Sequence, residues 1–350
     1  MLQEVITTLL AEDFAYDLPE ELIAQEPIAH REKSRLLVLD RKQNSVEHRV
    51  FKDVVEYLQP GDVLVLNDSR VIPARLWAKR STTGGKVETL LLKPLGGDLW
   101  EVLVKPGRRA PVGEQLVYGN GELVAKIIDK TEAGGRILEF AYENSSFREL
   151  IERLGEVPLP PYIRKKLHNR ERYQTVYARK EGSVAAPTAG LHFTQELLEE
   201  IENKGIKICY LTLHVGLGTF RPVLVENILE HKMHTEFYEL GSEVAGVVNH
   251  ARSGGGRVFA VGTTVVRVLE SVGKDDGILR PDRGWTDLFI YPGFKFRIVD
   301  AMLTNFHLPK STLLMLVSAF AGRERVLSAY EEAIRAKYRF FSFGDAMLIL

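Results

Sequence analysis

The chain has 350 residues, 45% of them hydrophobic and 27% charged, and a formal net charge of −1 at pH 7. This is an ordinary globular composition, and it excludes a global basic field, so any nucleic-acid contact must come from a local patch. The single cysteine, Cys209, excludes a disulfide framework and a cysteine-ligated structural zinc within one chain, and it makes the cytoplasm the expected compartment. At about 150 residues per domain, two domains are expected.

In chain order, residues 74–142 differ in texture from the rest. Strands are predicted near Arg75–Lys79, Val87–Leu92, Leu99–Val104, Gln115–Tyr118, Leu123–Ile128 and Arg136–Tyr142, punctuated by turns such as Gly84-Gly85, Gly96-Gly97 and Gly119-Asn120-Gly121. Six short strands with turn signals between them predict a small antiparallel β-barrel. Trp100, Val102 and Val104 alternate with Glu101 and Leu103, as in a half-buried strand. Thr194 is placed to cap a helix over 195–204 that Gly205 ends, and residues 206–213 follow as a strand. Ser242 is placed to cap 243–253, residues 257–261 read as a strand, and Thr263 or Thr264 starts a helix running to Val272. Ser311 or Thr312 caps an apolar helix that stops at Gly322, and 325–337 is the last helix. That apolar helix is far short of the roughly 20 residues that span a bilayer, so no membrane association is expected. No basic stretch followed by a long apolar run opens the chain, so no signal peptide is expected either. The alternation of strands and helices predicts an α/β main domain over 1–70 and 157–350, into which the small six-stranded antiparallel β-barrel of 71–156 is inserted.

Several loops could carry chemistry. Pro187-Thr188-Ala189-Gly190-Leu191-His192-Phe193 precedes a helix, and Leu213-His214-Val215-Gly216-Leu217-Gly218-Thr219-Phe220-Arg221-Pro222 follows a strand. Each sets one histidine among residues that stiffen a loop or admit a ligand close to the backbone. Ligands in open α/β sheets bind beyond the carboxyl ends of strands, which favours His214; the alternative is that either ring simply bonds a backbone carbonyl. His231 and His234, three apart, would share a helix face, but no third metal ligand is evident and no metal is expected. Gly262-Thr263-Thr264 at a helix start suits an anion or plain capping, and Arg267 one turn in would reinforce either. The loop from Asn305 through His307 to Thr312 sets polar groups against an apolar wall and would suit an adenosine-like ligand or serve the helix end. Arg164, Lys165, Lys166, Arg170 and Arg172 crowd five cations around one acid, Glu171, either as a phosphate-binding patch or as a solvated loop.

Taken together, the runs are more specific than any one of them. They include Leu-Ile-Ala-Gln-Glu-Pro (22–27), Ser-Arg-Leu-Leu-Val-Leu-Asp (34–40), Val-Leu-Asn-Asp-Ser-Arg-Val-Ile-Pro-Ala-Arg-Leu (65–76) and Ser-Val-Ala-Ala-Pro-Thr-Ala-Gly-Leu-His-Phe-Thr (183–194). They continue with His-Lys-Met-His (231–234), Asn-Phe-His-Leu-Pro-Lys-Ser-Thr-Leu-Leu-Met-Leu-Val (305–317) and Tyr-Arg-Phe-Phe-Ser-Phe-Gly-Asp-Ala-Met-Leu (338–348). In these the chain resembles the S-adenosylmethionine:tRNA ribosyltransferase-isomerases of queuosine biosynthesis, end to end apart from about ten N-terminal residues that read as a start-site extension.

The resemblance implies an α/β domain carrying an inserted barrel. It also implies transfer and isomerisation of the ribosyl part of S-adenosylmethionine onto 7-aminomethyl-7-deazaguanine at the tRNA wobble position, giving epoxyqueuosine-tRNA, adenine and methionine. S-adenosylmethionine is then a consumed substrate, no separate cofactor is expected, and the enzyme is expected to be a monomer. Such chemistry needs proton transfers at the ribose carbon beside the sulfonium, at the departing adenine and at the attacking amine. On this reading His192 and His214 divide the base and acid roles, with His307 or His234 as a third participant. Thr219 and Arg221 would hold the methionine carboxylate or a tRNA phosphate. Gly262, Thr263 and Arg267 would form a second anion site, and Asn305 would contact the nucleoside. The basic cluster from Arg164 to Arg172 would hold tRNA phosphates. Rival readings are a metal-dependent hydrolase built on His231 and His234, and a non-catalytic RNA-binding module.

Overall fold

The computed structural model describes residues 9–350 other than 133, 217–222, 224 and 274. Contacts divide the chain into two units. One comprises Met1–Arg70, Pro160–Lys180 and Ala186–Leu350, and the other comprises Val71–Leu159 and Glu181–Ala185. The chain thus returns to the first unit at residue 160 rather than 157, and the short segment 181–185 groups with the second unit.

The second unit is a closed six-stranded antiparallel barrel. Its strands are Arg75–Arg80, Lys86–Gly96, Leu99–Lys105, Gln115–Tyr118, Leu123–Lys130 and Arg136–Tyr142. Closure leaves no free edge. Alternate residues such as Leu76, Ala78, Leu116, Tyr118, Leu123, Ala125, Ile127, Leu138 and Phe140 are buried, as period-2 strands require. In Leu99–Lys105 only Val102 is buried. Trp100 is half-buried because its ring leans on Phe147, 5.5 Å away, in the helix Phe147–Leu154.

The first unit is built on a nine-stranded mixed sheet. Its order is Asp282–Thr286, Glu236–Leu240, Lys207–Leu213, Val63–Asn67, Val258–Val261, Ala301–Asn305, Ala346–Ile349, Arg35–Asp40 and Ser45–Val50. The strands from Lys207–Leu213 to Ala301–Asn305 are mutually parallel, and those outside them mix directions. Val63–Asn67, Val258–Val261 and Ala301–Asn305 are buried at every residue, as expected for parallel strands covered on both faces. Leu36, Phe51, Leu64, Phe193, Ile201, Phe259 and Leu348 meet in the core on one side.

Helix starts follow their caps. The Thr194 hydroxyl accepts the Leu197 N–H at 3.2 Å, and the Ser311 hydroxyl accepts the Leu314 N–H at 3.2 Å. Ser242, by contrast, is the first helical residue of Ser242–Ser253, and Gly241 holds the cap position. The last helix, Arg323–Arg335, starts two residues earlier than its sequence suggests, directly on Gly322 at φ +91°. Among the described residues no helix is long and apolar enough to cross a membrane.

Candidate active site

Where the parallel strands end, their loops enclose a crevice with about 540 Å³ of empty space, part of it open to solvent. Val215, Gly262, Thr263, Thr264, Thr304, Asn305 and His307 line it from the strand ends, and Pro187, Thr188 and Ala189 close one wall. Phe306, Leu308, Leu313 and Phe341 make the apolar part of the lining. Asn67, ending the central strand, ties two of these loops together. Its amide nitrogen donates to the Leu213 carbonyl at 3.0 Å and to the Thr264 hydroxyl at 3.3 Å, and its oxygen accepts the Leu213 N–H at 3.1 Å.

Asn305 holds one of two buried histidines, His192, and the other, His307, lies two residues further along the chain. Its amide nitrogen donates to Nε2 of His192 and to the Phe341 carbonyl, both at 3.3 Å. Its oxygen is buried without a partner among the described residues, so the amide's orientation is set by two acceptors and leaves one acceptor unused. On the far side of the His192 ring, Nδ1 lies 2.7 Å from the Ser34 hydroxyl, which itself donates to the Arg31 carbonyl. With that hydroxyl proton committed, Nδ1 carries the imidazole proton and Nε2 is the acceptor. The ring also stacks on Phe51 at 4.9 Å. Burial, and then the positive charges of Arg31 and Arg339, push the His192 pKa down to about 3. His307 is likewise pushed down to about 3, by burial alone, with Nε2 2.8 Å from the Thr304 hydroxyl. Its backbone is pinned as well. The Tyr16 hydroxyl donates to its carbonyl, and its N–H donates to the Tyr330 hydroxyl at 3.0 Å. Both rings are therefore neutral at physiological pH.

The expected pairing of His192 with His214 is not what the structure builds. The side-chain partners of His192 are Asn305 and Ser34, His307 bonds Thr304, and His214 is not among the described residues lining the crevice although its neighbour Val215 is. The His214 ring stacks on Phe237 at 5.8 Å, its Nδ1 is buried without a partner among the described residues, and burial lowers its pKa. His234 is exposed on a non-helical stretch, so it shares no helix face with His231 and does not line the crevice. Among the described residues no three His, Cys, Asp or Glu side chains are gathered to hold a metal ion.

The second anion site is only partly assembled. Gly262 holds φ +90°, a conformation that favours glycine, and Thr263 begins the helix in the crevice wall. Arg267, expected to reinforce an anion there, is consumed elsewhere. Its guanidinium is buried against the Glu236 carboxylate and donates to the carbonyls of Leu288 and Thr286. Glu236 also accepts the Gly216 N–H at 2.8 Å, so this ion pair anchors the loop after His214. Thr219 and Arg221 lie outside the described residues.

The basic segment is also more committed than its composition suggests. Arg164 pairs with Glu20 at 2.7 Å, and Lys165 pairs with Glu26 at 3.3 Å. Lys166 and Arg170 are exposed. Arg172 turns inward to donate to the carbonyls of Ala29 and Ile28. Sequence reasoning missed Ser34, Asn67 and Thr304 as partners of the site. Each is a short polar residue beside an apolar strand or, for the latter two, at its end, which is the one signal that could have flagged them.

A mixed α/β sheet with a polar, histidine-braced crevice at the carboxyl ends of its parallel strands, in a chain that also forms a small closed barrel, defines an α/β enzyme that works on a ligand held beyond the strand ends. Residues 11–349 match the family described as queuosine biosynthesis protein, and the chain belongs to that family. It is 60% identical over 337 residues to the S-adenosylmethionine:tRNA ribosyltransferase-isomerase of Acetivibrio thermocellus, covering 96% of this chain and 98% of that protein. It is 61% identical over 338 residues to the enzyme of the same name from Caldanaerobacter subterraneus subsp. tengcongensis, covering 97% and 99%. The crystal structure of S-adenosylmethionine tRNA ribosyltransferase from Thermotoga maritima is similar, with 42% identity, a TM-score of 0.55, and coverage of 97% of this chain and 100% of that one.

Proposed function

We propose that this chain is an S-adenosylmethionine:tRNA ribosyltransferase-isomerase acting in queuosine biosynthesis. On this reading it places the ribosyl part of S-adenosylmethionine on 7-aminomethyl-7-deazaguanine in the tRNA wobble position and releases adenine and methionine. The observation that carries the reading is near-full-length identity of about 60% to relatives bearing that name. S-adenosylmethionine serves as the ribosyl donor and is consumed, no further cofactor enters, and the enzyme works as a cytoplasmic monomer.

The crevice suits the donor in three respects. Its apolar wall of Phe306, Leu308, Leu313 and Phe341 excludes water from a nucleoside. The unpaired Asn305 oxygen accepts a ligand N–H. His307 and Tyr162 are the titratable groups among the described lining residues; when the His307 Nε2–H donates to Thr304, Nδ1 holds the lone pair that takes a proton, and because burial makes that ring a weak base it relies on the acidity the sulfonium lends the C–H. The proton to be lost lies on the ribose carbon beside the sulfonium, whose positive charge stabilises the resulting carbanion. The carbanion expels the ring oxygen from the next ribose carbon, leaving a vinyl sulfonium, and adenine departs as the protonated base, leaving an aldehyde. The neutral amine of the deazaguanine adds to the vinyl sulfonium, the regenerated carbanion closes the carbocycle on the aldehyde, and the resulting alkoxide displaces methionine to form the epoxide. His192, with both nitrogens engaged, is a positioning residue that holds Asn305, and His214 and His234 receive no catalytic role.

The test is to incubate the purified chain with S-adenosylmethionine and tRNA bearing the aminomethyl base. Adenine, methionine and epoxyqueuosine-containing tRNA should form in equal amounts. Intact S-adenosylmethionine, or adenine release without a change in the tRNA, would refute the assignment.

A further inference from the structure

A second, smaller crevice adjoins the first within the same unit. It encloses about 300 Å³ of empty space, and Arg31, Arg172, His192, Leu191, Phe343 and Ser342 are among its lining residues. Among the described residues no carboxylate lines it. Ser342 lines both crevices, and His192, which lines this one, is bonded to Asn305 in the wall of the other.

We infer that the crevice between Arg31 and Arg172 binds one backbone phosphodiester of the tRNA next to the nucleotide being modified. The inference deepens the proposed function and rests on its tRNA substrate. Two half-buried guanidiniums face the same small space, which costs desolvation and like-charge repulsion with no acid in the wall to offset either. The acid acting on Arg31, Glu32, lies outside the lining and sits 3.8 Å from His30. Arg172 spends its two terminal nitrogens on the carbonyls of Ala29 and Ile28, while its buried Nε–H has no partner. Arg31 gives one terminal nitrogen to the Gln174 carbonyl at 3.2 Å. The pair is thus fixed in place by backbone carbonyls with donors to spare, as a pre-formed anion site requires. A phosphodiester carries one negative charge on two oxygens and fits a pair of guanidiniums. It also leads by one ribose to a base, which the shared Ser342 and His192 boundary would deliver to the donor's crevice. Apolar Leu191 and Phe343 in the same wall suit the sugar that accompanies such a phosphate. The exposed cations Lys166 and Arg170, with no enclosing crevice, would supply only sequence-independent attraction.

The experiment uses the full chain and a synthetic anticodon stem-loop in which single phosphates are replaced, one at a time, by neutral methylphosphonates. Wild-type protein should lose about tenfold in affinity at one position beside the wobble nucleotide. Arg31→Met should lose a similar amount on the unmodified RNA, reduce the slope of log affinity against log salt by about one, and become insensitive to that same methylphosphonate. Its affinity for S-adenosylmethionine alone, measured by calorimetry, should be unchanged. Arg31→Lys, which keeps the charge, should recover most of the salt slope; if Arg31→Met fails to fold, this variant and the wild-type scan decide. An unaltered salt slope, no sensitive phosphate in the wild type, or a loss of S-adenosylmethionine affinity in place of RNA affinity would overturn the inference. The last result would assign the crevice to the donor's carboxylate. If the wild type neither binds the RNA nor releases adenine in its presence, the underlying function has failed instead.

Discussion

Two imidazoles in this site are held uncharged by burial. His192 and His307 are 4% and 8% exposed, and both have pKa values held near 3 against an ordinary value near 6.5. Between those limits the unfolded chain takes up the protons while the folded chain refuses them. Stability is therefore full above about pH 6.5 and falls as the pH drops towards 3, by up to about 1.4 kcal/mol per pH unit for each ring. Urea unfolding from pH 7 to 4.5 should show this decline, and His192→Asn should make it shallower by one ring's share. A variant slope equal to that of the wild type would contradict the account. At working pH the same shift keeps both rings neutral.

At the scale of elements, the site depends on a turn that cannot be widened. The short helical turn Thr188–His192 carries His192 to Asn305, and Gly190 within it has no room for a methyl group. Its Cβ would strike the hydroxyl of Tyr177, which is buried, and the side chain of Thr175. Gly190→Ala should cost about 1–3 kcal/mol in denaturant unfolding and reduce adenine release further than the lost stability explains, because His192 shifts against Asn305. Undiminished turnover in a folded Gly190→Ala protein would show that the turn does not set the site. The elements differ in how readable they were. Barrel strands announce themselves because glycine turns separate short alternating runs. Arg35–Asp40 escapes because an unbroken Leu-Leu-Val-Leu has no period to distinguish strand from helix, and Ser45–Val50 escapes because exposed residues such as Glu47, His48 and Arg49 give it a polar face on both sides. Caps at Thr194 and Ser311 were legible from local chemistry, whereas Ser242 was not, since a glycine beside it can hold the cap position with its backbone.

Across the whole molecule, function emerges from residues that only the sheet order brings together. Asn67, Thr264, Asn305 and His192 come from four distant segments, and the strands that carry Asn67 and Asn305 flank the strand that leads into the helix of Thr264. The loops could be picked out as candidates from their glycines, prolines and histidines. Which loops meet could not, because pairings such as His192 with Ser34, 158 residues apart, or Arg267 with Glu236 depend on tertiary packing. Charge behaves the same way. A chain of net charge −1 meets a polyanion through local cations, and the fold withdraws Arg267 and turns Arg172 inward. On the proposed function, ribosyl transfer takes place in the crevice at the strand ends, with the donor hydrogen-bonded to the Asn305 oxygen beside His307. The most direct test is single-turnover adenine release by Asn305→Leu, which keeps the side chain's bulk and removes its amide. The account predicts a fall of at least about 100-fold, some 2.7 kcal/mol in barrier, in a protein that still unfolds cooperatively. Turnover within a few fold of the wild type would place the chemistry elsewhere.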